Sequence, residues 1–183
     1  LQAETTEQPL APKIADNQKH QNTSTHCSNG KRALLSSKII FHRDGKKKIK
    51  RNMPAIQAAI LQSFNPYGIH FIDADLMLRD LKQNRKKKHH LKALAQKHNL
   101  QYFLNATVNV TESPIKLLKT NMKTVNANIT LELLDLKINR ILASASQSFT
   151  KAGLNAKRVT QRELKQLLPG MSVDLLTQAC KKR

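Results

Sequence analysis

Several residue types are scarce in this chain, and each shortage removes a class of function. There is no tryptophan, and aromatic residues make up 4% of the 183 positions. Phe41, Phe64, Tyr67, Phe71, Tyr102, Phe103 and Phe149 are the whole set. Most of them fall at core-facing positions, so no row of stacking side chains for single-stranded nucleic acid stands out. The five glycines build neither a phosphate-cradling loop nor a GxSxG elbow. The seven histidines form no HExxH pattern, and His89-His90 has no partner at ligand spacing. The only cysteines are Cys27 and Cys180, so there is no CxxC zinc pattern and no Cys/His nucleophile pair in register. No cofactor is implied. No apolar run approaches the ~18 residues needed to cross a bilayer.

Acidic residues are scarce as well, 12 against 32 Lys and Arg, giving a net charge of +20. Residues 1–30 contribute nothing to this excess, because Lys13 and Lys19 face Glu4, Glu7 and Asp16. The remainder of the chain is therefore strongly cationic and should seek anions: nucleic acid, cell-envelope polymers or acidic protein surfaces. Two basic runs concentrate the charge: Lys46, Lys47, Lys48, Lys50 and Arg51, and Arg85, Lys86, Lys87 and Lys88. Both read as loops or helix ends, and both are candidates for anion contact; a solvated cationic surface is the plain alternative.

Residues 1–30, rich in Gln, Thr, Asn, Ser and Pro, read as a flexible lead-in. The chain opens on Leu1 rather than Met, and a cleaved secretory signal is the preferred reading. Residues 31–183 read as one α/β domain. Ala33 to Phe41 is a strand, and His42 to Arg51 a basic loop around Asp44-Gly45. Asn52 can cap a helix with Pro54 in its first turn and Ile56, Ala59, Ile60 and Phe64 as its buried stripe. Asn65-Pro66-Tyr67-Gly68 ends it. Ile69 to Ile72 is a short strand. Asp73 can then cap a second helix burying Leu76, Met77 and Leu81; the nearby Asp75 makes a carboxylate pair whose plain role is capping rather than acid/base or metal chemistry. Asn99 suits a left-handed helix end.

Three strands follow, each with a period of two. Tyr102, Leu104, Ala106, Val108 and Val110 alternate with polar residues, as do Val125, Ala127, Ile129, Leu131 and Leu133. In the last strand Ile141, Ala143, Ala145 and Phe149 are expected inward. Asp135 to Asn139 turns the last two strands into a hairpin, with Asn139 able to take positive φ. Val159, Leu164, Leu167 and Leu168 mark a final helix, which Pro169-Gly170 is expected to break. The predicted order is β-α-β-α-β-β-β-α: an α/β sandwich with a mixed sheet of about five strands and helices mainly on one face. Its other face would show Asn105, Thr107, Asn109, Asn126, Asn128, Thr130, Ser144, Ser146 and Ser148. In so cationic a chain these rows are nearly free of Lys and Arg, so the face can meet another protein without desolvating ammonium groups. An ordinary wetted sheet face is the alternative.

The run from Leu91 to Val108, LKALAQKHNLQYFLNATV, resembles the helix-then-strand segment of a group of bacterial envelope modules. The run from Asn128 to Ser144, NITLELLDLKINRILAS, is similar to their strand-turn-strand hairpin, with Asn99 and Asn139 in place of the usual glycines. The group includes the N-terminal domain of the translocation protein TolB, the curli secretion lipoprotein, the lipoprotein activators of penicillin-binding proteins and the middle domain of flagellar assembly protein T. The resemblance implies a non-enzymatic periplasmic or outer-membrane-associated component of a flagellar basal body or secretion system, working in a ring or other assembly with protein partners. A basic nucleic-acid-binding module is the alternative. In an oxidising compartment Cys27 and Cys180 could form one bridge; two free thiols are the other reading.

Overall fold

The computed structural model describes residues 30–43, 46–51, 54–73, 93, 95–115 and 121–182. Its elements are β1 (Arg32–Arg43), β2 (Lys46–Arg51), α1 (Pro54–Phe64), a 3-10 turn (Asn65–Tyr67), β3 (His70–Asp73), β4 (Tyr102–Pro114), β5 (Lys123–Asp135), β6 (Arg140–Gly153) and α2 (Ala156–Lys181). Six strands form one mixed sheet in the order β2-β1-β4-β5-β6, with β3 also paired to β1. β1 runs parallel to β3 and β4, while β2, β5 and β6 pair antiparallel with their neighbours. The α/β sandwich expected from the residue patterns is the observed one.

The alternating strands bury one face as anticipated. Tyr102, Leu104, Ala106, Val108 and Val110 of β4 lie beside Val125, Ala127, Ile129, Leu131 and Leu133 of β5, and all ten are buried. α1 and α2 cover that face. Ile56, Ala59, Ile60 and Phe64 of α1 enter the same core. Phe64 meets Phe71 of β3 edge to face, with ring centroids 5.5 Å apart. Gly68, at φ 65°, closes the turn after α1 where a side chain would be strained.

Among the described residues, a second cluster covers one end of the opposite face. Leu34, Ala95, Leu100 and Leu136 form a small cluster there, with Ile72 and Phe103 packed against it. A helical turn at Ala95–Lys97 ends at Asn99, whose φ of 50° is left-handed, and Asn139 takes 52° in the β5–β6 turn. Both asparagines thus do what their sequence positions predicted. Asp135 shapes that turn, its Oδ1 accepting the N–H groups of Lys137 and Ile138 at 2.8 and 3.2 Å.

Four expectations are corrected. The basic stretch Lys46–Arg51 is a strand rather than a loop, because a main-chain ladder to β1 holds it while Lys46 to Lys50 stay exposed. The sheet accordingly has six strands. In β6 a register shift at Leu133/Leu134 turns Leu142 inward (4% exposed) and leaves Ile141 outside (50% exposed). A bulge reverses the alternation on its far side. Finally, Pro169-Gly170 does not break the last helix: α2 is continuous over 26 residues. Proline inside a helix costs ~3 kcal/mol or more. Leu164, Leu168, Met171, Leu175 and Leu176 are each almost wholly buried, and at ~1.5–3 kcal/mol apiece their burial outweighs that cost.

The expected Asn52 cap, the second helix with Leu76, Met77 and Leu81, Asp75, and the lead-in at 1–30 apart from Gly30 lie outside the described residues.

Candidate functional site

Two surfaces carry the sequence candidates. The first is cationic. Along β2, successive side chains alternate between faces. Lys48 is the register partner of Phe41 and Lys50 that of Ile39, so Lys46, Lys48 and Lys50 share the helix-bearing side. Lys47 stands on the other side with His42. The first three lysines line a cleft of about 590 Å³ together with Arg43, Lys123 and Lys157. These six cations come from four elements. Among the described residues one carboxylate lies in the cleft, Glu112, and it is bound by Lys123 at 3.0 Å. The floor of the cleft includes Leu154, Asn155 and Ala156, where α2 begins. Asn155 caps that helix, its side chain accepting the Arg158 N–H at 3.2 Å. The first-turn N–H groups of a helix have no partner within it, and the helix dipole adds positive potential there.

Reasoning along the sequence found half of this site. Lys46, Lys48 and Lys50 were singled out; Arg43, Lys123 and Lys157 were not, because each is an isolated cation that only the sheet topology brings alongside. Lys47 points away from the cleft. The backbone of Arg51 pairs with Lys38 in the ladder, and Arg85, Lys86, Lys87 and Lys88 lie outside the described residues.

The second surface is the outward side of β4, β5 and β6. Asn105, Thr107 and Asn109 are half-buried, while Asn126, Asn128, Ser144, Ser146 and Ser148 are exposed and Thr130 is intermediate. The structure brings them together as side-by-side rows. Thr130 pairs in register with Ser146, and Asn128 with Ser148. Asn128 Oδ1 accepts from both Thr130 Oγ1 (3.3 Å) and Ser146 Oγ (3.2 Å), and Asn126 Oδ1 accepts from Thr150 Oγ1 at 2.7 Å. Asn105 donates to Glu132 at 3.0 Å.

Asp73, considered for acid/base work, ends β3 and accepts a hydrogen bond from Gln57 at 3.1 Å. Among the described residues no three His, Cys, Asp or Glu side chains converge as metal ligands, and no helix is long and apolar enough to cross a membrane. Buried Glu163 is held by Arg162 at 3.2 Å and by Lys151 at 3.9 Å, an ion pair at the β6–α2 contact. Cys180 is half-buried near the end of α2, and no described cysteine is a free thiol. Cys27 lies outside the described residues.

No protein-family model matches the sequence, and no curated protein is matched by it. Solved structures are similar to it. Lipoprotein GNA1162 from Neisseria meningitidis superposes with a TM-score of 0.50 at 15% identity, over 76% of this chain and 96% of that one. The LpoB C-terminal domain from Salmonella enterica gives 0.41 at 12% identity, over 72% and 96%. The PelC dodecamer from Paraburkholderia phytofirmans also gives 0.41 at 12%, over 83% and 89%. The chain thus shares the α/β fold of lipoprotein GNA1162.

Proposed function

We propose that this chain is a non-enzymatic component of a bacterial envelope assembly, periplasmic or outer-membrane-associated, that works by docking to other proteins. The observation that carries this reading is the outward sheet face. In a chain of net charge +20, a contiguous surface of Asn, Thr and Ser is nearly free of ammonium and guanidinium groups. Such a surface can be covered by a partner without desolvating ammonium groups. The envelope-lipoprotein fold supports the compartment. A flagellar basal body or a secretion system is the kind of machine proposed, with the chain as one subunit of a ring or other assembly. In this reading residues 1–30 are a flexible lead-in to the single domain 31–183.

A bridge between Cys27 and Cys180 belongs to the same proposal. Cys180 is not a free thiol, and the chain holds no third cysteine. Val173 and Asp174 of α2 line a groove with Pro66 and Tyr67. Those residues lie just before β3, whose His70 pairs with Arg32 at the start of β1. The last turns of α2 therefore approach the end of the sheet at which residue 27 leads into β1. Such a bridge closes a long loop and stabilises by a few kcal/mol.

Fractionation of the native cell tests the reading. The chain is expected in the periplasmic or outer-membrane fraction, bringing down other envelope proteins, with an intact mass lighter by the lost thiol hydrogens. Recovery in the cytoplasm on nucleic acid would overturn it in favour of the basic nucleic-acid-binding module.

A further inference from the structure

We infer that the outer edge of β6 is a self-association site, at which a second copy of this chain pairs antiparallel through its own β6. The inference rests on the docking reading in holding that the chain works by contact, and it adds a strand edge to the outward face.

The two margins of the sheet differ in kind. β2 closes one side and β6 the other. β2 is six residues long and carries five cations, Lys46, Lys47, Lys48, Lys50 and Arg51. Short length and lysines keep a sheet edge from recruiting another strand. β6 has neither guard. It runs for 14 residues, and the ten from Ile141 to Thr150 include no charge and no proline. Its bulge sits at one end; from Leu133/Ala143 to Lys123/Gly153 the ladder with β5 is unbroken. Among the described residues no strand pairs with its other side. A long, regular, uncharged row of main-chain donors and acceptors is ready to accept one more strand.

The side chains indicate which strand. On the helix-bearing side Ala145 and Phe149 pack against the core but are only partly buried, where the sheet stops. Ser144, Ser146 and Ser148 alternate with them on the outward side and are exposed. An added strand must continue both rows, apolar over the core and short and polar outside, and β6 itself has that pattern. Antiparallel pairing about Gln147 sets Phe149 of each copy opposite Ala145 of the other, a large side chain against a small one, twice. It sets Ser146 opposite Ser148 and Lys151 opposite Ala143, so no cation of one β6 faces a cation of the other.

Charge favours this arrangement over its rivals. A chain of net charge +20 resists self-association unless its cations are kept apart. β2 lies four strand spacings, ~19 Å, from β6, more than twice the ~8 Å screening length. Pairing β6 with β6 therefore puts the two lysine-rich edges at opposite ends of one continuous sheet. Pairing β6 with the β2 of another copy would grow an open filament, and it would bring lysines against the half-buried Phe149. The guarded edge disfavours the filament and leaves the closed, twofold pair.

Sedimentation equilibrium of the purified full chain tests the site. The expected species has twice the 20.7 kDa chain mass. Gln147 is half-buried and stands opposite itself across the twofold axis, so Q147K and Q147E each place like charges face to face. Each is expected to weaken pairing at least about tenfold. An equimolar mixture of the two is expected to pair at least as tightly as the parent, a recovery that unfolded variants could not show. A parent chain that stays monomeric at ~0.1 mM overturns the inference. So do variants that pair undiminished, a mixture that fails to recover, and a parent that grows beyond the pair. Capture of a different protein that Q147K abolishes, with the parent alone monomeric, gives the edge to a partner's strand and also overturns it. T107K/T130K leaves this edge untouched and is expected to pair as the parent does, so the outward face and the edge can fail separately.

Discussion

Thr107 of β4 lies directly opposite Thr130 of β5 in the antiparallel register, near the middle of the outward sheet face. Neighbouring strands there carry Lys38 beside Thr107 and Ser146 beside Thr130. A change at this pair alters the centre of the surface without touching the core beneath.

The double variant T107K/T130K should abolish assembly while leaving the domain folded. Burying an unpaired ammonium under a partner costs about several kcal/mol, well over a tenfold loss of affinity. The folded state loses less than ~1 kcal/mol from the like-charged cross-strand pair. Co-purification together with far-ultraviolet circular dichroism reads both effects. Undiminished assembly in a folded double variant would remove this face from the interface.

Gly153 closes β6 where the chain turns into α2, and a Cβ placed on it would stand 2.5 Å from Cγ2 of Val159. Val159 is buried and β-branched, so it has little room to yield. Gly153→Ala should destabilise the domain by ~1–3 kcal/mol. Adding Val159→Ala should give part of that back, because the two positions share one contact. Urea unfolding of the two single variants and the double completes the cycle; strictly additive losses would refute the steric account.

Pro169 stands on the exposed side of α2 and has no N–H to give to the Lys165 carbonyl. Ser172, one turn on, already donates its hydroxyl to the Leu168 carbonyl at 2.6 Å. Pro169→Ala should restore the missing helical bond and stabilise by about 1–3 kcal/mol, read as a higher urea midpoint. An unchanged or lower midpoint would show that the proline is accommodated without cost.

The prediction that α2 ends at Pro169 fails for a physical reason. Local propensity counts the lost bond, whereas the helix is held by Leu164, Leu168, Met171 and Leu175, whose burial depends on a sheet formed far away in sequence. The strands were legible where one face is core and the other water: β4 and β5 show their alternation openly. β2 hid because Lys46 to Lys50 are all exposed and bury no side chain that could mark a period; the Asp44-Gly45 pair before it is a strong hairpin signal, but the lysines around it read as a loop. β6 was legible except at Ile141 and Leu142, since a bulge leaves no mark in composition. Of the cationic cleft, the lysines of β2 could be named from the chain, while Lys123 and Lys157 could not. Their nearness follows from β5 and α2 beginning at one corner of the sheet.

Burial of Tyr67 makes stability fall at alkaline pH. It is 3% exposed, and burial raises its hydroxyl pKa above the ordinary 10.0. The unfolded chain surrenders that proton first. The contribution is therefore intact below ~pH 10 and is lost as pH rises from there through the folded value. Tyr67→Phe should lose less stability than the parent between about pH 9 and pH 11. Urea midpoints across that range decide it: parallel declines would mean that other groups set the limit.

The oxygen of Asn128 receives two neighbouring hydroxyls, and Asn126 receives a third. Side chains tied to one another in this way have surrendered much of their rotational freedom before any contact is made. Association then forfeits little further entropy, which for a mobile side chain amounts to ~0.5–1.5 kcal/mol. In the docking proposed above, these short, mutually anchored amides and hydroxyls are a template whose shape precedes its occupant, one that would favour partners that match it over partners that merely adhere.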